Sequence, residues 1–373
     1  MIPVPLVQAL PPGIASLADH EAHARTVLDD NAWAYFSGGA ADGITLRANR
    51  GAWDAIGLLP RVLQPLAGGH TRIELLGRTL AHPLLVGPVA YQRLAHPDGE
   101  LATALAAAAQ GAGMVLSTQA STRLELIAKA VHGDPQRGPL WFQLYLQPDR
   151  GVTRDLVQRA EQSGYEALVV TVDAPVSGAR DAERRAGFRL PPGIAAVNLP
   201  LPGTQVTEPP ARSLFQGLLA TAPTWRDVEW LQSITTLPII LKGILHPDDA
   251  RQAAALKVAA IVVSNHGGRT LDTAPASAAM LPRIADAVGG GLPLLVDGGI
   301  RRGTDVLKAA ALGARAVLVG RPVVWGLANA GAVGVAHVLR LLQDELEIAM
   351  GLSGVASLDC IPPDLLQIHP ERR

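Results

Sequence analysis

Residues 260–269 read Ala260-Ile261-Val262-Val263-Ser264-Asn265-His266-Gly267-Gly268-Arg269. The apolar run from Ala260 to Val263 predicts a strand buried on both faces. It stops abruptly in a proton-exchanging side chain, two glycines and an arginine. Glycine lets the backbone turn sharply and lie close to a ligand. His266 changes charge near neutral pH. Arg269 presents a rigid fork of donors suited to a carboxylate or a phosphate. A base and an anion clamp three residues apart at a strand end suit an acidic substrate. A satisfied histidine and a solvated arginine in a turn are the bland reading of the same residues, so the flanking sequence has to decide.

The flanking sequence repeats the pattern. Short apolar strands are predicted at Leu84–Pro88, Met114–Thr118, Leu140–Tyr145, Ala167–Asp173, Pro238–Gly243, Ala260–Asn265, Pro293–Gly298 and Ala314–Gly320. Amphipathic helices are predicted between them, and a last helix from Gly334 to Met350. Eight strand–helix units in succession predict an α/β protein with a (β/α)8 TIM barrel, preferred over an open doubly wound sheet. Before the barrel, Ser16 caps a helix expected to run to about Phe36, and Thr71–Ala81 reads as a hairpin turning at Gly77. We expect a single domain over residues 1–373, with a loosely ordered arm at 1–15 and a long loop at 174–223. That loop leaves the fourth strand on the catalytic side of a barrel, so it reads as a lid; its stretch from Leu199 to Ser213 reads equally well as a disordered insertion.

The bulk properties exclude several classes. A chain of 373 residues, 48% hydrophobic, can bury a large core, and a net charge of −1 with scattered basic residues gives no footprint for nucleic acid or a membrane surface. Cys360 is the single cysteine, far from any histidine cluster. No metal site is expected, and a reducing, cytoplasmic setting is. The first residues lack the basic region of a signal peptide, and no run of about 20 apolar residues suggests a membrane span.

In a barrel of this kind, chemistry sits at the carboxyl ends of the strands. Strand 1 ends in Pro88-Val89-Ala90-Tyr91-Gln92, strand 2 in Ser117 and Thr118, and strand 3 offers Gln143 and Tyr145. Strand 4 offers Thr171 and Asp173, with Arg180 beyond, and strand 5 offers Lys242. A lysine interrupting an apolar strand needs a negative partner, either an ion pair with Asp297 or Asp173 or a ligand atom that becomes negative. Strands 7 and 8 end in Asp297-Gly298-Gly299-Ile300-Arg301 and Gly320-Arg321. Glycine-rich turns there, each opening a helix, suit a phosphate-bearing cofactor.

With these residues assembled, the chain resembles the FMN-dependent (S)-2-hydroxy-acid oxidases and dehydrogenases. Ser264–Asp272 (SNHGGRTLD) and Asp297–Pro322 (DGGIRRGTDVLKAAALGARAVLVGRP) carry the resemblance, supported by Gln143–Tyr145, Thr171–Pro175 and Leu241–Gly243. It implies FMN as cofactor and His266 as catalytic base, with Asp173 supporting the imidazolium. Arg180, Arg269 and Tyr35 would hold the substrate carboxylate, and Tyr145 the hydroxyl or keto oxygen. Lys242 would face the flavin N1/O2 edge, and Pro88, Val89 and Ala90 its N5. Ser117, Gln143, Thr171 and Ser264 would line the ring and ribityl chain. Asp297, Gly298, Gly299, Arg301, Gly320 and Arg321 would hold ribityl and phosphate.

Where glycolate oxidase has a tryptophan after strand 2 and a leucine after strand 4, this chain has Gln119 and Ser177. Both changes open or polarise the substrate pocket, which favours mandelate or 4-hydroxymandelate over glycolate. Ala90, in place of the glycine of several dehydrogenases, favours direct reaction with O2 to give H2O2. The resemblance also implies a homo-oligomer, a tetramer or octamer. Rival readings are a glycolate or lactate oxidase, a dehydrogenase with another electron acceptor, an FMN-dependent isomerase, and a non-catalytic flavin-binding barrel.

Overall fold

All eight apolar runs expected from the sequence become parallel strands, and they close on one another. The structure, a computed structural model, describes residues 8–200 and 213–368. The first seven residues of the expected arm, and 201–212 within the stretch read as a disordered insertion, lie outside the described residues. The barrel strands are β1 (Leu84–Val86), β2 (Gly113–Leu116), β3 (Leu140–Leu144), β4 (Leu168–Thr171), β5 (Ile239–Ile244), β6 (Ala260–Val263), β7 (Leu294–Asp297) and β8 (Ala314–Val319). Each hydrogen-bonds to its sequence neighbours, and β8 pairs with β1 to complete a closed barrel. Their side chains are almost all buried, because helices cover the outside while side chains fill the inside.

One irregularity places chemistry. Lys242 pairs with Val262, yet Ile244 pairs with Val263, so Gly243 is an extra residue in β5. Gly243 adopts φ +114°, which a side chain disfavours. Such a bulge re-aims the residues beside it and is common next to active sites.

The N-terminal segment differs from expectation. It forms two helices, α1 (Leu17–Val27) and α2 (Asp30–Ser37), because Leu28 turns extended and Asp29 opens a new helix by accepting from the Ala32 amide at 2.7 Å. A third helix, α3 (Ile44–Asp54), follows and was not anticipated. Helices α4 (Gly99–Ala109), α5 (Leu124–Val131) and α6 (Arg150–Gln162) follow the first three barrel strands. The long connection after β4 holds a short helix, α7 (Asp181–Arg185). Helices α8 (Trp225–Ile234), α9 (Pro247–Ala255), α10 (Ser277–Val288) and α11 (Gly303–Ala311) continue the alternation.

The last helix, α12 (Arg321–Ser353), starts well before Gly334 and is interrupted at Ala330 and Gly331. By length and composition it could cross a membrane, contrary to the reading that no apolar run was long enough. It is instead mostly buried, against α1, α4 and α11. An antiparallel pair, Ile56–Leu58 with Leu366–Ile368, also went unforeseen; three-residue strands carry little periodic signal.

Candidate active site

At the carboxyl ends of the strands a cavity of about 940 Å³ opens. Nearly every residue singled out from the sequence lines it, from Tyr35 on α2 round to Arg321 at the start of α12. Asp173 and Ser264 stand behind the wall, as do Gln92 and Thr118 from the strand ends. Asp173 and Ser264 each act through a neighbour.

Asp173 Oδ1 lies 2.9 Å from His266 Nδ1, which fixes the imidazole plane and turns Nε2 toward a substrate. Burial lowers the His266 pKa below the ordinary value, with Lys242 and Arg269 adding to it, although Asp173 pulls the other way. The ring is therefore neutral at neutral pH, as a base must be. Burial alone would raise Asp173, but His266 and Lys242 more than offset it, and the carboxylate stays ionised. His266 itself has φ +58°, in the left-handed region, followed by Gly267 and Gly268 in the same region. Backbone strain of this kind persists where surrounding structure enforces it. Here Gly268 packs so closely on α3 that a Cβ there would sit 2.6 Å from the Leu46 amide nitrogen.

The bulge supplies room for Asp173. A Cβ on Gly243 would lie 2.5 Å from the Asp173 Cβ and Cγ. Gly243→Ala is therefore expected to push Asp173 off His266 and to cost roughly tenfold or more in turnover. Steady-state rates, with bound flavin measured alongside, check it; unchanged turnover would mean that the Asp173–His266 contact is unimportant.

Lys242 is buried and does have its negative partner. Its Nζ lies 2.9 Å from Asp297 Oδ2 and donates to Ser264 Oγ at 2.9 Å. Ser264 Oγ in turn accepts from the His266 amide at 3.0 Å, so this serine joins the lysine to the base rather than lining the cavity. Burial works against the lysine's charge, yet Asp297 and Asp173 keep its pKa raised. Gln143 ties three strands together: its Nε2 donates to Thr171 Oγ1 at 3.1 Å, and its Oε1 accepts from Ser117 Oγ at 3.3 Å and from the Thr118 amide at 3.1 Å. Burial raises the Tyr145 phenol, which remains a donor at neutral pH.

The two arginines expected to clamp an anion line the same cavity as His266. Arg269 Nη1 donates to the carbonyls of Tyr35 and Gly38, and its guanidinium lies 5.1 Å above the Tyr35 ring. Phe188 stacks on the same ring, with centroids 4.8 Å apart. Arg180 keeps its Nε buried and without a partner, an unengaged donor for a ligand carboxylate. Glu183 lies 3.3 Å from both arginines. Sequence reading missed it, although its i, i+3 spacing from Arg180 on a helical turn was a usable signal. Phe188 was also missed as a lining residue, an isolated aromatic in a loop giving no such signal, whereas Tyr91, named at the end of strand 1, does line the cavity.

The far side of the cavity fits a flavin nucleotide phosphate. Arg301 and Arg321 donate to backbone carbonyls, Arg301 to Ile300 and Arg321 to Phe36, Gly38 and Gly267. Burial pushes Arg301 down to about 10 and Arg321 to about 9, values that leave both charged at neutral pH. Two such cations beside the amino-terminal ends of α11 and α12 suit a phosphate. Asp297 Oδ1 is buried without a partner and is an acceptor suited to a ribityl hydroxyl.

Comparison with known proteins agrees with this geometry. Residues 24–368 match the sequence profile of the FMN-dependent dehydrogenases. An L-lactate oxidase of Alicycliphilus denitrificans is 48% identical over 360 residues, covering 96% of this chain and 97% of the other. A 4-hydroxymandelate oxidase of Amycolatopsis orientalis is 47% identical over 352 residues, covering 92% and 95%. A mandelate oxidase variant solved with an FMN adduct superposes with a TM-score of 0.85 at 44% identity, covering 94% of this chain and 99% of that one. A closed parallel barrel, a phosphate-type site at its last two strands and a histidine–aspartate base beside an arginine clamp thus coincide with homology along the chain, which belongs to the FMN-dependent dehydrogenase family, among the 2-hydroxy-acid oxidases.

Proposed function

We propose that this enzyme oxidises an aromatic (S)-2-hydroxy acid, (S)-mandelate or 4-hydroxymandelate, to the 2-oxo acid, with O2 reduced to H2O2. The observation that carries the substrate reading is the make-up of the cavity wall. Gln119 and Ser177 stand on it together with the flat side chains of Tyr91 and Phe188, and Leu219 and Trp225 extend it outward. Small or polar groups leave room for a ring, and aromatic walls suit one. The similarity to a 4-hydroxymandelate oxidase and to mandelate oxidase structures supports the same reading.

The residues divide the work as follows. Arg180, Arg269 and Tyr35 fix the substrate carboxylate, and Tyr145 holds the hydroxyl oxygen that becomes the keto oxygen. His266 removes one proton, and Asp173 stabilises the imidazolium that results. When bound, FMN accepts the two electrons lost by the substrate and passes them to O2. Lys242 keeps a positive charge buried at the cavity floor, where negative charge is best tolerated. Fixing the acid in this way removes the entropic cost of bringing base and substrate together. We also propose a cytoplasmic homo-oligomer, a tetramer or octamer, which light scattering would check.

The test is anaerobic. The flavoprotein is mixed with (S)-mandelate, 4-hydroxymandelate, lactate or glycolate, and air is then admitted. Fast bleaching of the flavin by the aromatic acids, then fast recovery with peroxide, is the expected result. Faster bleaching by lactate or glycolate would overturn the substrate. Slow recovery in air would make the enzyme a dehydrogenase.

The charge balance around His266 sets a pH profile. The base must be neutral, so kcat/KM is expected to fall on the acid side, with its midpoint below the ordinary histidine value of 6.5. Asp173 favours the protonated ring. Asp173→Asn is therefore expected to shift that limb to still lower pH while slowing turnover, because the remaining base is weaker. A limb that moves upward in the variant would reverse the assignment.

A further inference from the structure

Glu183 has no part in the roles above, yet it occupies the clamp. A single oxygen, Oε1, lies 3.3 Å from Arg180 Nη1 and 3.3 Å from Arg269 Nη2. Its side chain is largely buried and faces the same cavity. One carboxylate oxygen thus bridges the two guanidinium groups that a substrate carboxylate would engage. The contacts are long for charge-assisted hydrogen bonds, which are closest at about 2.7–2.9 Å. They hold the arginines without gripping them.

The charges make the consequence explicit. Arg180 and Arg269 carry two positive charges, and a 2-hydroxy acid brings one negative charge. Substrate and 2-oxo product bear the same carboxylate, so a clamp with both charges unopposed would hold the product as tightly as the substrate. A product held that tightly leaves slowly, and product release sets the turnover of many enzymes. From this geometry, and resting on the clamp reading above, we infer that Glu183 is an internal counter-carboxylate. It competes with substrate and product for Arg180 and Arg269, and so weakens the clamp enough for the product to leave.

The sign of the effect is opposite to that of a residue that merely positions the arginines. Glu183→Gln keeps the shape and removes the charge. Binding of benzoylformate and of its neutral amide is read from the change in flavin absorbance of the oxidised holoenzyme, and release of benzoylformate by rapid dilution. In the variant, benzoylformate is expected to bind about tenfold tighter and to leave correspondingly more slowly, the scale of one charge removed from a partly buried anion site. The amide is expected to bind within about twofold of wild type, because it lacks the charge that Glu183 opposes.

Weaker binding of benzoylformate, or no change, overturns the inference and leaves Glu183 a structural contact. Glu183→Asp, which keeps the charge on a shorter side chain, is expected to fall between wild type and the glutamine variant. It serves equally if the glutamine variant loses flavin or fails to fold. Should wild-type enzyme fail to prefer benzoylformate to its amide, the clamp reading itself is wrong, whatever the Glu183 variants do.

Discussion

Replacing His266 with glutamine is expected to slow anaerobic flavin reduction by about 10²–10⁴-fold, the contribution of one positioned base. The expectation rests on three features of this side chain. Its Nδ1 is held by Asp173 at 2.9 Å, burial keeps the ring neutral, and the ring lines the cavity together with Arg180 and Arg269. Glutamine preserves bulk and polarity but cannot take up a proton. Bound flavin and thermal stability are expected to change little, since the imidazole is absent from the phosphate side of the cavity. Stopped-flow reduction by the best substrate measures the effect. A loss of less than tenfold would remove His266 from the role of base and return attention to Tyr145.

Arg180→Met is expected to lower kcat/KM by roughly 30- to 160-fold, equivalent to about 2–3 kcal/mol of lost transition-state binding. The lower part of the range for a broken charge pair applies, because the guanidinium is 22% exposed. Its recorded salt bridge is to Glu183, so the fold should tolerate the change better than loss of Arg269, which also holds the carbonyls of Tyr35 and Gly38. Lysine at position 180 is expected to recover only part of the loss, because a point charge lacks the guanidinium fork. Steady-state kinetics with a carboxylate substrate and with its amide separate the outcomes. Equal losses with both would mean that Arg180 supports the connection after β4 rather than the carboxylate.

The sequence was most legible where a residue type conflicts with its surroundings. Lys242 could be placed because a lysine inside an apolar strand is buried and conspicuous, and His266 because a titratable group ends another such strand. The barrel was legible because each strand is a short apolar run, and the alternation with helices leaves few architectures. Relations that depend on distance in the fold were not legible. Ser264 could be assigned to the site but not to its layer, because strand alternation does not reveal that Lys242 lies between it and the cavity. The break at Asp29 was hidden in a continuous helical pattern, although an aspartate is a good cap. The role of Gly243 appears only with the bulge and with Asp173 against it.

The tether of α2 has a consequence for how the molecule is made. Tyr35 and Phe36 pack with Val324 and Trp325, and Arg269 and Arg321 grip the carbonyls of residues 35, 36 and 38. The helix that contributes Tyr35 leaves the ribosome well before its partners, which are synthesised about 230 to 290 residues later, at roughly 5–20 residues per second. It must wait tens of seconds for its seat. Contacts so far apart in sequence are slow to form and expose apolar surface in the interval. The mouth of the active site is therefore completed late, and a nascent chain that stops short of Arg321 lacks Val324 and Trp325, on which Tyr35 and Phe36 pack.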